Sequence, residues 1–416
     1  MQQAKAPQPS IQQRPKILFF AEAVTLAHVV RPVTLAQSLD ATSFRVALAC
    51  DNRYQHLFPN LEMAICPLRT ISSAQFNGAL AQGNPVYDTA TLRTYVQDDL
   101  ALMDKLQPDL VVGDFRLSLA ISARLAGVPY VTISNAYWSP YAKLSYPLPE
   151  HPLTQVLGVT LAQVLFRLVR PSVFAYHSVA FNKVRREFGL PSLSYNLGKI
   201  YTEADQTLYA DIPQLVPTVS LPTHHHWLGP VLWSPQVQLP DWWTHLSEEQ
   251  TIIYVTLGSS GENHLLPTIL QALAHLPVVV IAATAGATIP KDLPNNARVA
   301  PFLPGIEAAA RSRLVICNGG SPTTQQALAA GVPVIGVVSN MDQHLNMLCL
   351  EAAGVGLRLR AGQLTSDRLQ KAVKELLQDS RYTENAHYLQ RRIQQHDTHG
   401  TFAKRITAQL DKPSVL

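Results

Sequence analysis

One stretch limits the possible folds more than any other: "LVICNGGSPTTQQALAAGVPVIGV", residues 314–337. Residues 314–317 have the length and apolarity of a strand buried on both faces, and 332–337, after a break at Gly331, read as its parallel neighbour. A short helix lies between them. Ser321 suits the N-cap, and Pro322 suits the first helical position, where its missing amide proton would have had no partner. The free N–H groups of that helix, with those of Gly319 and Gly320, then face the carboxyl edge of a sheet. Open α/β folds bind ligands there, and the helix dipole favours an anion. A phosphate is the expected occupant.

The strand–helix rhythm runs twice along the chain. In the first half it passes from a strand at 17–21 to a helix at 32–39, a strand at 44–50, and then "PDLVVGDF", "ARLAG" and "VPYVTIS". A long helical region at 153–188 follows, then the proline-rich "LPTHHHWLGPVLWSPQVQLPDWW". The second alternation begins at "TIIYVTLGSSG", continues through "PVVVIAAT", "ARVAPF", 314–337 and "VGLRLR", and closes with helices at 366–378 and 383–395. The expected fold class is α/β, with two Rossmann-like domains facing each other across a cleft. The expected divisions are a disordered lead-in at 1–15, a first domain at 16–235, a linker at 236–249, a second domain at 250–395, and a tail at 396–416 that packs back on the first domain.

Composition narrows the function classes. A chain of 416 residues that is 47% apolar can bury more than one core, while only 15% charged residues points to buried sheet or an apolar cleft. A net charge of +4 without a dense basic block argues against nucleic acid. Cys50, Cys66, Cys317 and Cys349 lack metal-site spacing and read as free thiols of a reducing compartment. The start, "MQQAKAPQPSIQQRPK", has no apolar core of a signal peptide. The most apolar helical stretch, 156–169, is too short to span a bilayer, so a soluble, cytoplasmic protein is expected. Weak peripheral membrane contact is left open by Arg167, Arg170, Lys183, Arg185 and Arg186, which also read as a solvated helix face. The run His224 to His226 argues little for metal, because adjacent histidines converge poorly on one ion.

Four stretches together carry a family likeness: "AHVVRPVTLAQSL", "VVGDF", "YVTLGSSG" and "NGGSPTTQQALAAGVPVIGVVSNMDQHLN". With them the chain resembles the inverting, metal-independent GT-B glycosyltransferases of the macrolide and UDP-glucuronosyl type, family 1. The resemblance implies that His28 is the general base and Asp114 the carboxylate that orients it. An imidazole with a pKa near ~6.5 can take a hydroxyl's proton as that oxygen attacks. It further implies no prosthetic group, and a UDP- or dTDP-sugar donor held by Ser259, Ser260, Phe302, Leu303, Asn318, Gly319, Gly320, Ser321, Thr323 and Gln326. Asp342 and Gln343 match the pair that binds donor-sugar hydroxyls. Asn135, Tyr137, Trp138 and Tyr141 fall where the family lines its acceptor pocket, for a small apolar acceptor, and the protein would be a monomer or homodimer.

Three positions depart from the family pattern. Asn318 replaces a histidine, Gln326 replaces a glutamate that accepts both ribose hydroxyls, and Gly305 stands where many members have a glutamine. Gln326 would tolerate a deoxyribose, so the departures bear on the choice between UDP and dTDP. Phe302 reads equally as a base-stacking ring or a core aromatic. Two other readings stay open: a nucleotide-sugar epimerase or hydrolase, and a non-catalytic homologue that binds or activates a partner.

Overall fold

The computed structural model describes residues 14–412, so the lead-in expected at 1–15 lies almost wholly outside the described residues, as does the tail beyond 412. In chain order the first half runs β1 (Lys16–Ala21), α1 (Ala27–Gln37), β2 (Arg45–Cys50), β3 (Ala64–Pro67), α2 (Ser73–Gln82), α3 (Thr89–Leu106), β4 (Leu110–Asp114), α4 (Leu119–Ala126), β5 (Tyr130–Ser134), α5 (Pro152–Glu187), α6 (Leu197–Tyr201), β6 (Gln206–Tyr209) and β7 (His225–Trp227). The second half runs β8 (Ile252–Thr256), α7 (Leu266–Leu273), β9 (Val279–Ala283), β10 (Ala297–Ala300), α8 (Gly305–Ala310), β11 (Leu314–Cys317), α9 (Ser321–Ala329), β12 (Val334–Val338), α10 (Met341–Ala352), β13 (Gly356–Arg360), α11 (Ser366–Gln378), α12 (Ser380–Gln394) and α13 (Thr398–Leu410).

Each half is one parallel sheet. The strand orders are β3-β2-β1-β4-β5-β6-β7 and β10-β9-β8-β11-β12-β13. In each, the order reverses beside the half's first strand, between β1 and β4 and between β8 and β11, where neighbouring loops leave in opposite directions and open a crevice at the carboxyl ends. Ala21 pairs with Asp114 at one crevice, and Thr256 pairs with Cys317 at the other. The strands are near-continuous apolar runs because helices cover both faces. A buried cluster also joins the halves: Tyr137, Tyr209 and Val216 share it with Leu328, Leu345 and Cys349.

Three expectations need correction. The first helix starts at Ala27, five residues before Pro32, which sits inside it. Lacking an N–H, Pro32 leaves the His28 carbonyl without its intrahelical partner. Gly320, not Ser321, holds the N-cap conformation of α9, with φ −71° and ψ 148°. The apolar stretch at 156–169 is not a short helix, because α5 runs 36 residues, with Pro171 inside it and a non-helical Gly158 (φ 71°) near its start. Its Val156–Glu187 portion is long and apolar enough to cross a membrane by length and composition.

The segment expected as a linker packs on the second half: Trp243 is buried, and its carbonyl accepts from Arg311 Nη1 at 3.1 Å. At the other end α13 returns to the first sheet, with Phe402 against Phe19 at 5.9 Å and Gln206 donating to Gln409 at 2.7 Å.

Candidate active site

The two crevices face one cleft of about 490 Å³, within the range of small-molecule sites. On the first-domain wall, α1 presents His28 at its second residue and β4 ends in Asp114, so helix and strand meet at the switch point. His28 Nδ1 lies 2.7 Å from Asp114 Oδ1. A carboxylate accepts only, so Nδ1 carries the proton and Nε2 is left to take one. The next residue, Phe115, adopts φ 59°, a conformation uncommon outside glycine, and its ring stacks on the imidazole with centroids 4.6 Å apart and planes 13° apart. Arg116 then turns into the core, where it pairs with Glu22 and Asp99 at 2.9 Å each and lies 3.6 Å over the Tyr95 ring. Burial pushes both of those carboxyls up, against the pull of Arg116. Three consecutive side chains thus anchor the turn that holds the dyad.

Sequence reasoning missed Arg31. It stands three residues after His28 on the same helical face, and its Nε and Nη2 reach Asp114 at 2.7 and 2.9 Å. Its Nη1 donates to Asn135 Oδ1 at 2.8 Å, while Asn135 Nδ2 donates to Asp211 at 3.2 Å. Asp211 also accepts from the Ala136 N–H at 2.6 Å and from Gln325 Nε2 of α9 at 3.2 Å. Burial raises the Asp211 carboxyl to about 6 despite these donors. The dyad therefore connects through Arg31, Asn135 and Asp211 to the opposite domain. Spacing from His28 could have exposed Arg31, had the helix not been started at Pro32.

The donor-side wall is formed by the loop after β8 and the start of α9. Gly258, at φ 62°, turns the chain so that Ser259 and Ser260 line the cleft. Asn318 ties the two pieces together, donating to Ser260 Oγ at 3.3 Å and accepting the Gly320 N–H at 3.1 Å. Ser321 and Thr323 line the cleft at the helix start, where backbone N–H groups have no intrahelical partner. Phe302 and Leu303 line it further out. Gly319, at φ 79°, is part of the turn and does not line the cleft; a Cβ there would lie 2.7 Å from Val338. Gln326 donates to the Trp233 carbonyl at 2.5 Å, and a Cβ on Gly305 would meet its Oε1 at 2.5 Å. The two departures at 305 and 326 are thus one: the glycine makes room for the amide.

Six other expected site residues have different placements. Gln343 borders the cleft, but its Oε1 accepts from the Ser339 N–H at 2.8 Å and, in a capping box, from the Asn340 N–H at 3.4 Å, and its Nε2 donates to the Ser260 carbonyl. Its neighbour Asp342 accepts from Trp138 Nε1 at 2.7 Å, across the domains. Of the acceptor aromatics only Trp138 lines the cleft. Tyr137 is fully buried in the core between the halves, and Tyr141 packs its edge on His225. Asn135 borders the cleft with its amide held between Arg31 and Asp211, as a support more than a contact. Apolar side chains complete the first-domain end, among them Phe76, Leu80, Phe115, Phe166, Val173 and Phe174.

Among the described residues no three His, Cys, Asp or Glu side chains converge as metal ligands. In the histidine run, His225 Nδ1 lies 2.6 Å from the Tyr209 hydroxyl, and burial lowers His225 to about 4. All four cysteines are free, and burial lifts the Cys317 thiol to about 12.

Comparison with known proteins matches this architecture. The family model for the erythromycin biosynthesis protein CIII-like C-terminal domain covers residues 267–406. A PGL/p-HBAD biosynthesis glycosyltransferase of Mycobacterium tuberculosis (strain ATCC 25177 / H37Ra) is 53% identical over 92% of this chain and 90% of its own. A PGL/p-HBAD biosynthesis rhamnosyltransferase of Mycobacterium bovis (strain BCG / Pasteur 1173P2) is 54% identical over 90% and 83%. An inactive PGL/p-HBAD biosynthesis glycosyltransferase of the same strain is 50% identical over 65% and 74%. The solved structure of a Streptomyces sp. SF2575 glycosyltransferase, complexed with thymidine diphosphate, superposes with a TM-score of 0.66 at 18% identity, over 95% of this chain and all of that one. With the fold, the cleft and these relatives in agreement, the chain belongs to the glycosyltransferase family of these mycobacterial relatives and has the GT-B fold.

Proposed function

We propose that the enzyme transfers a sugar, with inversion and without a metal ion, from a nucleoside diphosphate sugar to a hydroxyl of an apolar, lipid-like acceptor. The observation that carries this reading is His28, hydrogen-bonded to Asp114 through Nδ1 on one wall of a cleft whose other wall is a helix N-terminus. Nε2 takes the acceptor's proton as its oxygen bonds to the anomeric carbon, and the bond from that carbon to the β-phosphate oxygen breaks. Attack opposite the leaving group inverts the centre. The departing diphosphate gains negative charge beside the start of α9 and the Ser259 and Ser260 hydroxyls, which offer the stabilisation a metal would otherwise supply. Asp342 keeps Oδ2 for a donor-sugar hydroxyl while Oδ1 holds Trp138. The apolar first-domain end of the cleft favours a lipid-like acceptor, and the relatives' names suggest rhamnose as a first donor sugar to try.

The test is transfer by purified protein from TDP- and UDP-sugars, with and without EDTA, to phenolic acceptors bearing alkyl chains, the product's anomeric configuration being read by NMR. A product that retains the donor's configuration, or activity lost in EDTA and restored by Mg²⁺, contradicts the mechanism. A second reading, a non-catalytic partner, is favoured by the internal engagement of Asn318, Gln326 and Gln343. Nucleotide binding with no turnover on any donor would select it.

A further inference from the structure

The surface of α5 is unlike that of a helix in a water-soluble protein. In the most apolar 18-residue window of Val156–Glu187, only 11% of residues are buried. Leu161, Val164, Leu165, Leu168, Tyr176 and Val179 are all exposed, Leu161 by 57% and Leu168 by 75%. Their spacing places them on one outward stripe, and Lys183 and Arg186 continue it one and two turns beyond Val179. The helix holds five Lys and Arg residues and no Asp or Glu before Glu187. Among the described residues, Arg167, Lys183 and Arg186 form no ion pair. An apolar stripe that ends in unpaired cations matches an anionic lipid surface: acyl chains for the stripe, phosphate for the cations.

The other side of the helix excludes a transmembrane span. Phe181 and Val184 are buried in the first-domain core, and Arg185 Nη1 donates to the Ala120 carbonyl at 2.6 Å, so insertion across a bilayer would dismantle the domain. That same inner side supplies Phe166, Val169, Val173 and Phe174 to the apolar end of the cleft. One helix thus separates the cleft from its outer surface.

We infer that the outer stripe of α5 docks the enzyme flat on an anionic bilayer, bringing the apolar end of the cleft beside the membrane. Docking stands on the stripe and its charges; delivery of a membrane-resident acceptor rests in addition on the lipid-like acceptor proposed above. The test is flotation with vesicles of phosphatidylcholine, with and without phosphatidylglycerol, at low and high salt. Wild type is expected to float with the anionic vesicles at low salt. Leu161→Gln with Leu168→Gln, and separately Lys183→Glu with Arg186→Glu, should each weaken binding by roughly tenfold or more. The thermal shift given by TDP should be unchanged in both, because none of the four residues lines the cleft. Absence of wild-type binding to anionic vesicles, or variants that bind as wild type does, overturns the inference. So does a concentration-dependent dimer in sedimentation velocity that the leucine pair abolishes while vesicles are ignored, since the stripe would then serve a second copy. Vesicle binding by a protein that transfers no sugar would support docking and sink the functional proposal alone.

Discussion

Replacing His28 by alanine removes the group that takes the acceptor's proton in the proposed reaction. The rate of transfer is expected to fall about 10²–10⁴-fold, with TDP affinity measured by calorimetry nearly unchanged. Asp114→Asn should behave differently because of Arg31. That guanidinium is 5% exposed and has Asp114 as its ion-pair partner, so removing the charge leaves a buried cation without its direct partner and with only the more distant Asp211 to offset it. A loss of about 3–5 kcal/mol in folding stability is therefore expected alongside the loss of rate, read by denaturant unfolding. At Gln326, exchange for glutamate would set a carboxylate against the Trp233 carbonyl, which now accepts the amide's hydrogen bond. The carboxylate is expected to turn to a ribose diol, shifting preference from near parity, within about tenfold, towards UDP over TDP. An unchanged ratio in calorimetric titration would mean that position 326 does not meet the sugar ring. His28 and Asp114 drew attention because short motifs surround them, whereas nothing in the sequence showed that Gln343, though it borders the cleft, is also engaged by Asn340 in a capping box. Tyr137 and Tyr141 were misassigned for a related reason. The single turn at Ala136–Trp138 aims successive side chains in different directions, and only Trp138 reaches the cleft.

At the scale of elements, strands read most clearly. β11 was legible to the residue because a four-residue apolar run bounded by Asn318 and two glycines has no competing interpretation. Helices bounded by proline were harder. Pro32 suggested a start, yet it lies inside α1, whose neighbours bury enough surface to override it. The contact between α9 and the segment after β6 gives an element-scale prediction. Asp211 has a folded carboxyl raised to about 6, against an unfolded value near ~3.9. The folded state therefore holds the proton more tightly, and the stability it confers is present below ~3.9 and lost as pH rises through about 6. Wild type should lose about 2 kcal/mol relative to Asp211→Asn between pH 4 and 7, measured by unfolding at each pH. A parallel pH profile for the two proteins would show that the amide donors outweigh burial.

For the whole molecule, the repeated strand–helix rhythm made two sheets readable, but not how they are joined. The joints use side chains far apart in sequence: Asp211 with Gln325, and Trp138 with Asp342. None belongs to a periodic pattern, so periodicity could not disclose them. The last pair has a consequence for the timing of turnover. In the proposed reaction Asp342 binds the donor sugar, yet it is held by an indole from the half proposed to receive the acceptor. If the halves separate to discharge products, that bond must break first, so it acts as a latch on the spent nucleotide. Trp138→Phe keeps the ring and removes the donor N–H. Stopped-flow displacement of a fluorescent TDP analogue should then show faster release, by roughly tenfold or more for the loss of one charge-assisted bond. In an enzyme limited by product departure, the same change would raise turnover while the residence of donor fell.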